Sequence, residues 1–486
     1  MNCDTGRNKK FLDVVIYGAG KRAHSRIDLL NCLGVRIRGI VDSDVQKAGM
    51  EIGHYTVGLP SALYSIYDDC KICIEIVDEE AKETVRNNLT NLLEAYDEIS
   101  DIELIIEAFS NSNICNGIVG DYSKNNYRSI IWASEAGLGL GGVEEYVKNV
   151  SIAMINAGIE HIRILTNCNK YIVPESITRI RLSAEYDVNK KNGFVDGIYP
   201  YFIKIIQNLP CVIITSGIDS IFCAAAIAKN LFPQDVKIIS MIHLGTVNIC
   251  KLQSNVSDYV DEYVAVSKWI DNQMRKNGHT NISVVTCPYI CLPQIEREYT
   301  EDERLPIRIG YAGRLDGYAK SQKRMDLLIL LFKELRRRKI FFIAEIAGDG
   351  PARIQMEKEI SHNDEIDNIH FLGVLDRSDI PAFWAKQDIA VNVSDCEGHS
   401  ISQMEAMANG AVPVMTRTSG TEDDIIDGKN GFLVEIGDYL AMADKIEYLF
   451  NNRLLLSVMG TLAHEAVYSK SLMSDHLNFW KNLLQV

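Results

Sequence analysis

The strongest constraint in this sequence is an alternation: short apolar runs, each followed by a loop and a helical stretch, recur in three successive blocks. Such runs are too short for core helices, and their alternation with helical segments calls for parallel strands covered by helices. The first block opens with Val14 to Tyr17, a Gly18-Ala19-Gly20 turn, helical residues to Leu33 and a second run from Val35 to Val41 that ends at Asp42. Further strands are expected at Ile72 to Ile76 and Leu104 to Ile106, and the block finishes near Ser110 to Gly120, where Asn, Ser and Gly accumulate. The second block begins at Ser129 to Ala133, passes a glycine-rich loop from Gly137 to Gly142, and continues through runs at Ile162, Val212, Val236 and Tyr263. The third follows the charged segment Glu296 to Arg304 and starts with Ile307 to Tyr311. The expected class is α/β. Domains are expected at residues 1–120, 121–300 and 301–470, with 471–486 a separate terminal segment; about 100–200 residues per domain makes three the natural number for 486 residues.

A formal net charge of -15 leaves no basic field to gather nucleic acid, so phosphate recognition, if present, has to be local. The densest basic run, Arg336 to Lys339, ends an apolar helical pattern and reads as a last turn that offsets the helix dipole, with peripheral membrane contact as the alternative. Several of the 12 cysteines, among them Cys211, Cys223 and Cys250, sit inside apolar runs and read as reduced core residues. Cys70 and Cys73 lack a second pair at zinc-binding spacing, so no metal site is expected. With a polar stretch from Met1 to Lys10 and no apolar run of about 18 residues, the expectation is a cytoplasmic protein, alone or associated with the cytoplasmic face of a membrane.

The chemistry concentrates in the third block. Arg314 follows its first strand and Lys323 stands shortly after; a fixed fork and an ammonium together suit a diphosphate, although surface salt-bridge partners are the plainer reading. A strand from Ile343 to Ala347 leads into Gly348-Asp349-Gly350-Pro351, a turn with little bulk to block a ligand. The run from Ile389 to Val393 leads into Ser394-Asp395-Cys396-Glu397-Gly398-His399-Ser400, then a helix containing Glu405, then a strand from Val412 to Met415. Amides of Gly398, His399 and Ser400 at the helix start can hold an anion, while Glu397 and Glu405 can accept from sugar hydroxyls. One segment is therefore able to grip both halves of a nucleotide-sugar; two exposed helix-face charges are the bland alternative.

The stretch from Glu397 to Glu405, continuing Ala406-Met407-Ala408-Asn409-Gly410-Ala411-Val412-Pro413-Val414, resembles the Glu-x7-Glu hallmark of the retaining family-four glycosyltransferases. The resemblance extends over roughly residues 128 to 486. It implies the GT-B architecture, two Rossmann-like domains facing across a cleft, here preceded by a third Rossmann-like domain. It implies that Gly141 and Gly142 belong to a loop approaching the donor phosphate, that His243 lies at the donor sugar, and that Val266-Ser267 precedes the hinge. Arg314 and Lys323 match the diphosphate pair, Asp427 to Gly431 a late glycine-rich turn, and His476 to Leu484 a helix crossing back to the first catalytic domain. By the same resemblance the donor is a nucleotide-sugar, UDP-sugar favoured, transferred with retention and without a required metal to a glycan, lipid-linked or protein acceptor. Glu405 is assigned to the ribose, Glu397 to the donor sugar, and His243 to sugar positioning or transition-state stabilisation; Glu397 as a covalent nucleophile is the less favoured alternative. Departures are His399 for a commoner Phe or Leu, Arg324 where Gly is usual, and Thr418-Ser419-Gly420-Thr421 for a commoner double glycine.

The first domain is a separate question. Gly18-Ala19-Gly20-Lys21-Arg22-Ala23 fits G-x-G-x-x-A, and Asp42 closes the second strand where a ribose-binding acid would stand, so NAD or a nucleotide is one expected ligand and a plain scaffold the other reading. Two rivals to glycosyl transfer stand for the whole chain: a non-catalytic nucleotide-sugar-binding subunit, and an NAD-dependent sugar oxidoreductase.

Overall fold

The computed structural model describes residues 12–19, 27, 30–31, 33–67, 70–74, 79–93, 95–111, 129–133, 142–159, 161–166, 178–181, 194–217, 219–285, 297–319, 321–361, 368–468 and 473–484. Gly20 and Gly141 lie outside them. Three sheets of six, seven and six strands form the fold.

The third sheet shows how sequence places the site. Its strands run Ile369–Gly373, Phe342–Ala347, Ile307–Ala312, Ile389–Asn392, Val412–Thr416 and Phe432–Val434, all parallel, so chain order reads 3-2-1-4-5-6. Chain direction around the sheet reverses between Ile307–Ala312 and Ile389–Asn392, and the loops leaving these neighbours must diverge and open a crevice. Arg314 follows the first of them and Glu397 the second. The seven-stranded sheet repeats this design, reversing between Ser129–Ala133 and Cys211–Thr215. Strands buried on both faces explain the continuous Ile/Val runs read in the sequence.

The first sheet places Asp13–Tyr17 between Arg36–Val41 and Lys71–Ile74. Leu104 to Ile106, expected as a strand, lies inside the helix Asp101–Asn111. A capping box explains the difference: Ser100 and Glu103 bond reciprocally, Ser100 N to Glu103 Oε2 at 2.9 Å and Glu103 N to Ser100 Oγ at 3.2 Å. That helix packs on Ser220–Leu231, and Ile16, Ile105, Phe222 and Ile227 belong to one continuous apolar cluster spanning the first two sheets. The first domain is thus anchored through shared core.

The terminal helix Met473–Leu484 lies against the helix Gly142–Asn156 of the second domain, where Trp480 is fully buried. Its indole Nε1 donates to Tyr146 Oη at 3.0 Å, and its ring meets Trp132 edge-on at 5.1 Å. Cys70, Cys73, Cys211, Cys223 and Cys250 are buried and unbridged. Among the described residues no helix is long and apolar enough to cross a membrane. The basic run closes the helix Met325–Arg337, and Arg338 is held by Glu334, Asp444 and Glu447.

Candidate functional site

The two reversal points face each other across a cleft of about 870 Å³ lined by the second and third domains. This size suits a drug-sized or nucleotide-sized ligand. From the second domain come Gly142, Glu144, Glu145, Ser216, His243 and Leu244; from the third come Arg314, Lys323, Gly348, Arg377, Glu397 and Glu405.

Lys323 Nζ stands 2.7 Å from Glu397 Oε1, and Glu397 is buried. The loop carrying Glu397 is braced from behind: Ser419 Oγ donates to the carbonyls of Glu397 and Gly398, and Gly245 N donates to Glu397 O at 3.3 Å. The serine that replaces a commoner glycine therefore holds the acidic loop in place. At Gly398 a side chain would overlap the His243 carbonyl, so glycine permits the two domains to meet backbone against backbone. Ser400 caps the helix Ile401–Ala408, whose N-terminus faces the cleft.

Arg314 is half-exposed and pairs with Asp316 at 3.3 Å. Arg324 adopts φ 50°. That left-handed backbone explains why glycine suits the position; here the cost is offset by Asp326 and Asp395, each 3.0 Å from the guanidinium.

Burial drives the His243 imidazole down to about 4, so it is neutral at pH 7. Its Nε2 is buried with no hydrogen-bond partner among the described residues, while its ring packs edge-on against Tyr146 at 5.9 Å. An unpaired polar atom at a cleft wall is costly unless a ligand satisfies it.

Glu405 sits inside the helix, buried, with its carboxyl pushed up to about 7; burial dominates, and the Arg377 guanidinium beside it only partly offsets that. Arg377 also reaches Glu145 across the cleft at 3.3 Å. The sequence reading missed Arg377 and Glu145. Arg377 follows the strand Ile369–Gly373, itself unrecognised because its exposed face breaks the apolar run; Glu145 showed only as a first-turn acid of the expected helix.

One expected donor contact and one expected ligand contact need correction. His399 lines the cleft through its backbone, whose amide is the expected anion contact, while its ring is held in the interior, Nδ1 at 3.0 Å from Val266 O and Nε2 at 2.6 Å from Asp424 Oδ2. Gly350, at φ 157°, packs its Cα against the Leu315 backbone instead of lining the cleft, whereas Gly348 does line it and lies against Gly313. Gly141 falls outside the described residues, although its neighbour Gly142 lines the cleft. In the first domain Asp42 is buried and spends both oxygens internally. Oδ2 accepts from Ala19 N at 2.7 Å and Lys47 Nζ at 2.9 Å, and Oδ1 from Asp44 N at 2.8 Å. Gly18, at φ 115°, donates to Val41 O at 2.8 Å, so this acid braces the turn instead of facing a ribose.

Residues 298–465 match the family described as glycosyl transferases group 1. The chain is 23% identical over 308 residues to the N-acetyl-alpha-D-glucosaminyl L-malate synthase of Bacillus anthracis, covering 57% of this chain and 76% of that protein. It is 30% identical over 163 residues to the poly(ribitol-phosphate) alpha-N-acetylglucosaminyltransferase of Staphylococcus aureus, covering 33% of this chain and 32% of that one. In structure it is similar to sucrose-phosphate synthase from Thermosynechococcus elongatus, with TM-score 0.60 and 17% identity over 74% of this chain and 98% of that one. It is also similar to Anabaena HepE in complex with UDP and glucose, with TM-score 0.59 and 14% identity over 74% and 100%. The fold is thus the GT-B fold, residues 298–465 match the glycosyl transferases group 1 family, and the relatives of the chain are glycosyltransferases.

Proposed function

We propose that the chain is a retaining transferase that takes a sugar from a nucleotide-sugar, a UDP-sugar in first preference, and passes it to a glycan, lipid-linked or protein acceptor in cell-surface glycan synthesis. The observation that carries this reading is the meeting, in one interdomain cleft, of two cations, two buried carboxylates and a neutral histidine with an unpaired Nε2.

In this reading Arg314 and Lys323 bind the diphosphate and stabilise the charge that develops as the glycosidic bond breaks, assisted by the N-terminus of Ile401–Ala408. With two cations aimed at the leaving group, no divalent ion is required. Glu405 accepts from the ribose and Glu397 from the sugar, while His243 Nε2 bonds a sugar hydroxyl. Retention follows from attack on the face that the diphosphate leaves, with the departing phosphate oxygen taking the acceptor proton. Domains at 1–120, 121–300 and 301–470 are assigned as scaffold, acceptor and donor domains, with the terminal helix tying the last back to the second. UDP-, GDP- and ADP-sugars presented with EDTA, followed by NMR of the product anomer, test this: one donor giving the retained anomer supports the reading, and an inverted product overturns it.

A further inference from the structure

We propose that His399 is a positioning residue: an imidazolium bonded to the second domain on one side and the third on the other, it holds the Glu397 loop in register, and losing its proton loosens that loop.

Val266 O is a carbonyl and can only accept; Asp424 Oδ2 also faces Gln403 Nε2, a donor at 3.3 Å, so it too is used as an acceptor. A neutral imidazole carries one N–H and cannot serve two acceptors. The site therefore needs two protons on the His399–Asp424 pair, one on Nδ1 toward Val266 and one in the 2.6 Å contact toward Asp424. The two side chains are 0% and 3% exposed, so no solvent replaces a lost bond.

The placement makes this contact consequential. Val266 ends the segment leading to Ser267, the N-cap of Lys268–Lys276 in the second domain, while His399 stands two residues after Glu397 in the third. Lys268 N also donates to Asp423 Oδ2 at 2.8 Å, so two adjacent acids clamp the same seam. The groups facing the ring are Asp424 and Asp423 from the segment after Thr416, Gln403 from the helix Ile401–Ala408 that follows it, and His476 from the terminal helix. Burial alone would push the His399 pKa down; Asp424, the Val266 carbonyl and Asp423 outweigh it and leave it raised above 6.5. His476, by contrast, is driven down to about 4, chiefly by burial and also by the His399 charge, so it stays neutral beside it.

The sign follows. With the folded pKa raised, the strut is fully present below about 6.5 and is lost as pH rises through the folded value, the proton passing to solvent. One N–H then serves two acceptors and the seam loses a bond.

The test uses the full chain and has two arms independent of activity: 15N NMR of the imidazoles, and hydrogen exchange of the segment 397–400, both followed from pH 6 to 9. The signal lost in His399→Phe, or displaced in Asp424→Asn if the first variant does not fold, assigns the ring. At pH 7 both ring nitrogens should carry protons, and exchange should accelerate about tenfold as the ring titrates, with the midpoint lowered in Asp424→Asn. A neutral ring at pH 7, or exchange that ignores the titration, overturns the proposal. The effect on catalysis rests on the donor reading above: donor KM should rise about tenfold with the same midpoint and be flat in His399→Phe. Absence of turnover at every pH, with the ring and exchange still titrating together, would fault that reading and leave the strut standing.

Discussion

Lys323 Nζ and Glu397 Oε1 lie 2.7 Å apart at the floor of the cleft, with their side chains only 15% and 9% exposed. Each neutralises the other. In the proposed reaction a donor separates their duties, the diphosphate engaging the ammonium and the sugar hydroxyls the carboxylate. Lys323→Ala should therefore cost twice: about 10²–10³-fold in kcat, and about 3 kcal/mol of stability from a buried carboxylate left unpaired. Removing both partners should recover much of the stability and none of the activity. A double-mutant cycle by urea unfolding and steady-state kinetics reads both terms.

Glu405 offers a pH-dependent check. Its folded pKa of about 7 lies above the ordinary 4.5, so its contribution to stability is present below about 4.5 and is lost as pH rises through 7. Glu405→Gln should flatten the decline of Tm between pH 5 and 8. Arg377→Ala removes the cation that restrains this carboxyl, so the titration should move above 7 and donor KM at pH 7 should rise about tenfold.

The Trp480 indole couples the terminal helix to the catalytic face through Tyr146, whose ring also packs against His243. Trp480→Ala should cost about 3–5 kcal/mol, measured by denaturant unfolding. The surviving folded enzyme should show lower kcat, because the His243 ring loses its backing. Trp480→Phe, which keeps the ring contact with Trp132 but drops the hydrogen bond, should retain most of both.

Shared core between the first two sheets means the first domain should not melt separately. Calorimetry of the full chain should give one transition for these two units, and deletion of residues 1–111 should expose Phe222 and Ile227 and yield insoluble protein. Because Asp42 is spent on Ala19, Asp44 and Lys47, millimolar NAD should leave Tm unchanged. A rise in Tm with NAD would show that Asp42 can be released to a ligand.

Buried parallel strands were legible because their sequences are continuously apolar; the strand order that sets the two reversal points was not, because pairing joins segments far apart in the chain. Glu397, Glu405, Arg314 and Lys323 stood out through the resemblance to the Glu-x7-Glu motif and its diphosphate pair, spacing alone being weak, and the structure brings all four to one cleft. Pairing was not legible. No pattern in a sequence announces that Asp424 and Val266 will consume both nitrogens of His399, or that Asp42 will turn inward, because those contacts are made by elements far apart in the chain. Leu104 to Ile106 misled because a short Leu-Ile-Ile run fits strand and helix equally, and the Ser100–Glu103 capping box decides it. Arg377 was missed for the related reason that a lone arginine in a polar loop has no periodicity.

The central claim is that a nucleotide-sugar is bound and split in the cleft between the second and third domains. Donor turnover by the purified chain in EDTA, compared with Lys323→Ala and Glu397→Ala variants whose folding has been verified, tests it most directly. One donor class should turn over in the wild type, and both substitutions should lower kcat at least about 100-fold. Undiminished turnover in both folded variants, or tight donor binding without transfer or hydrolysis under any acceptor mixture, would contradict it.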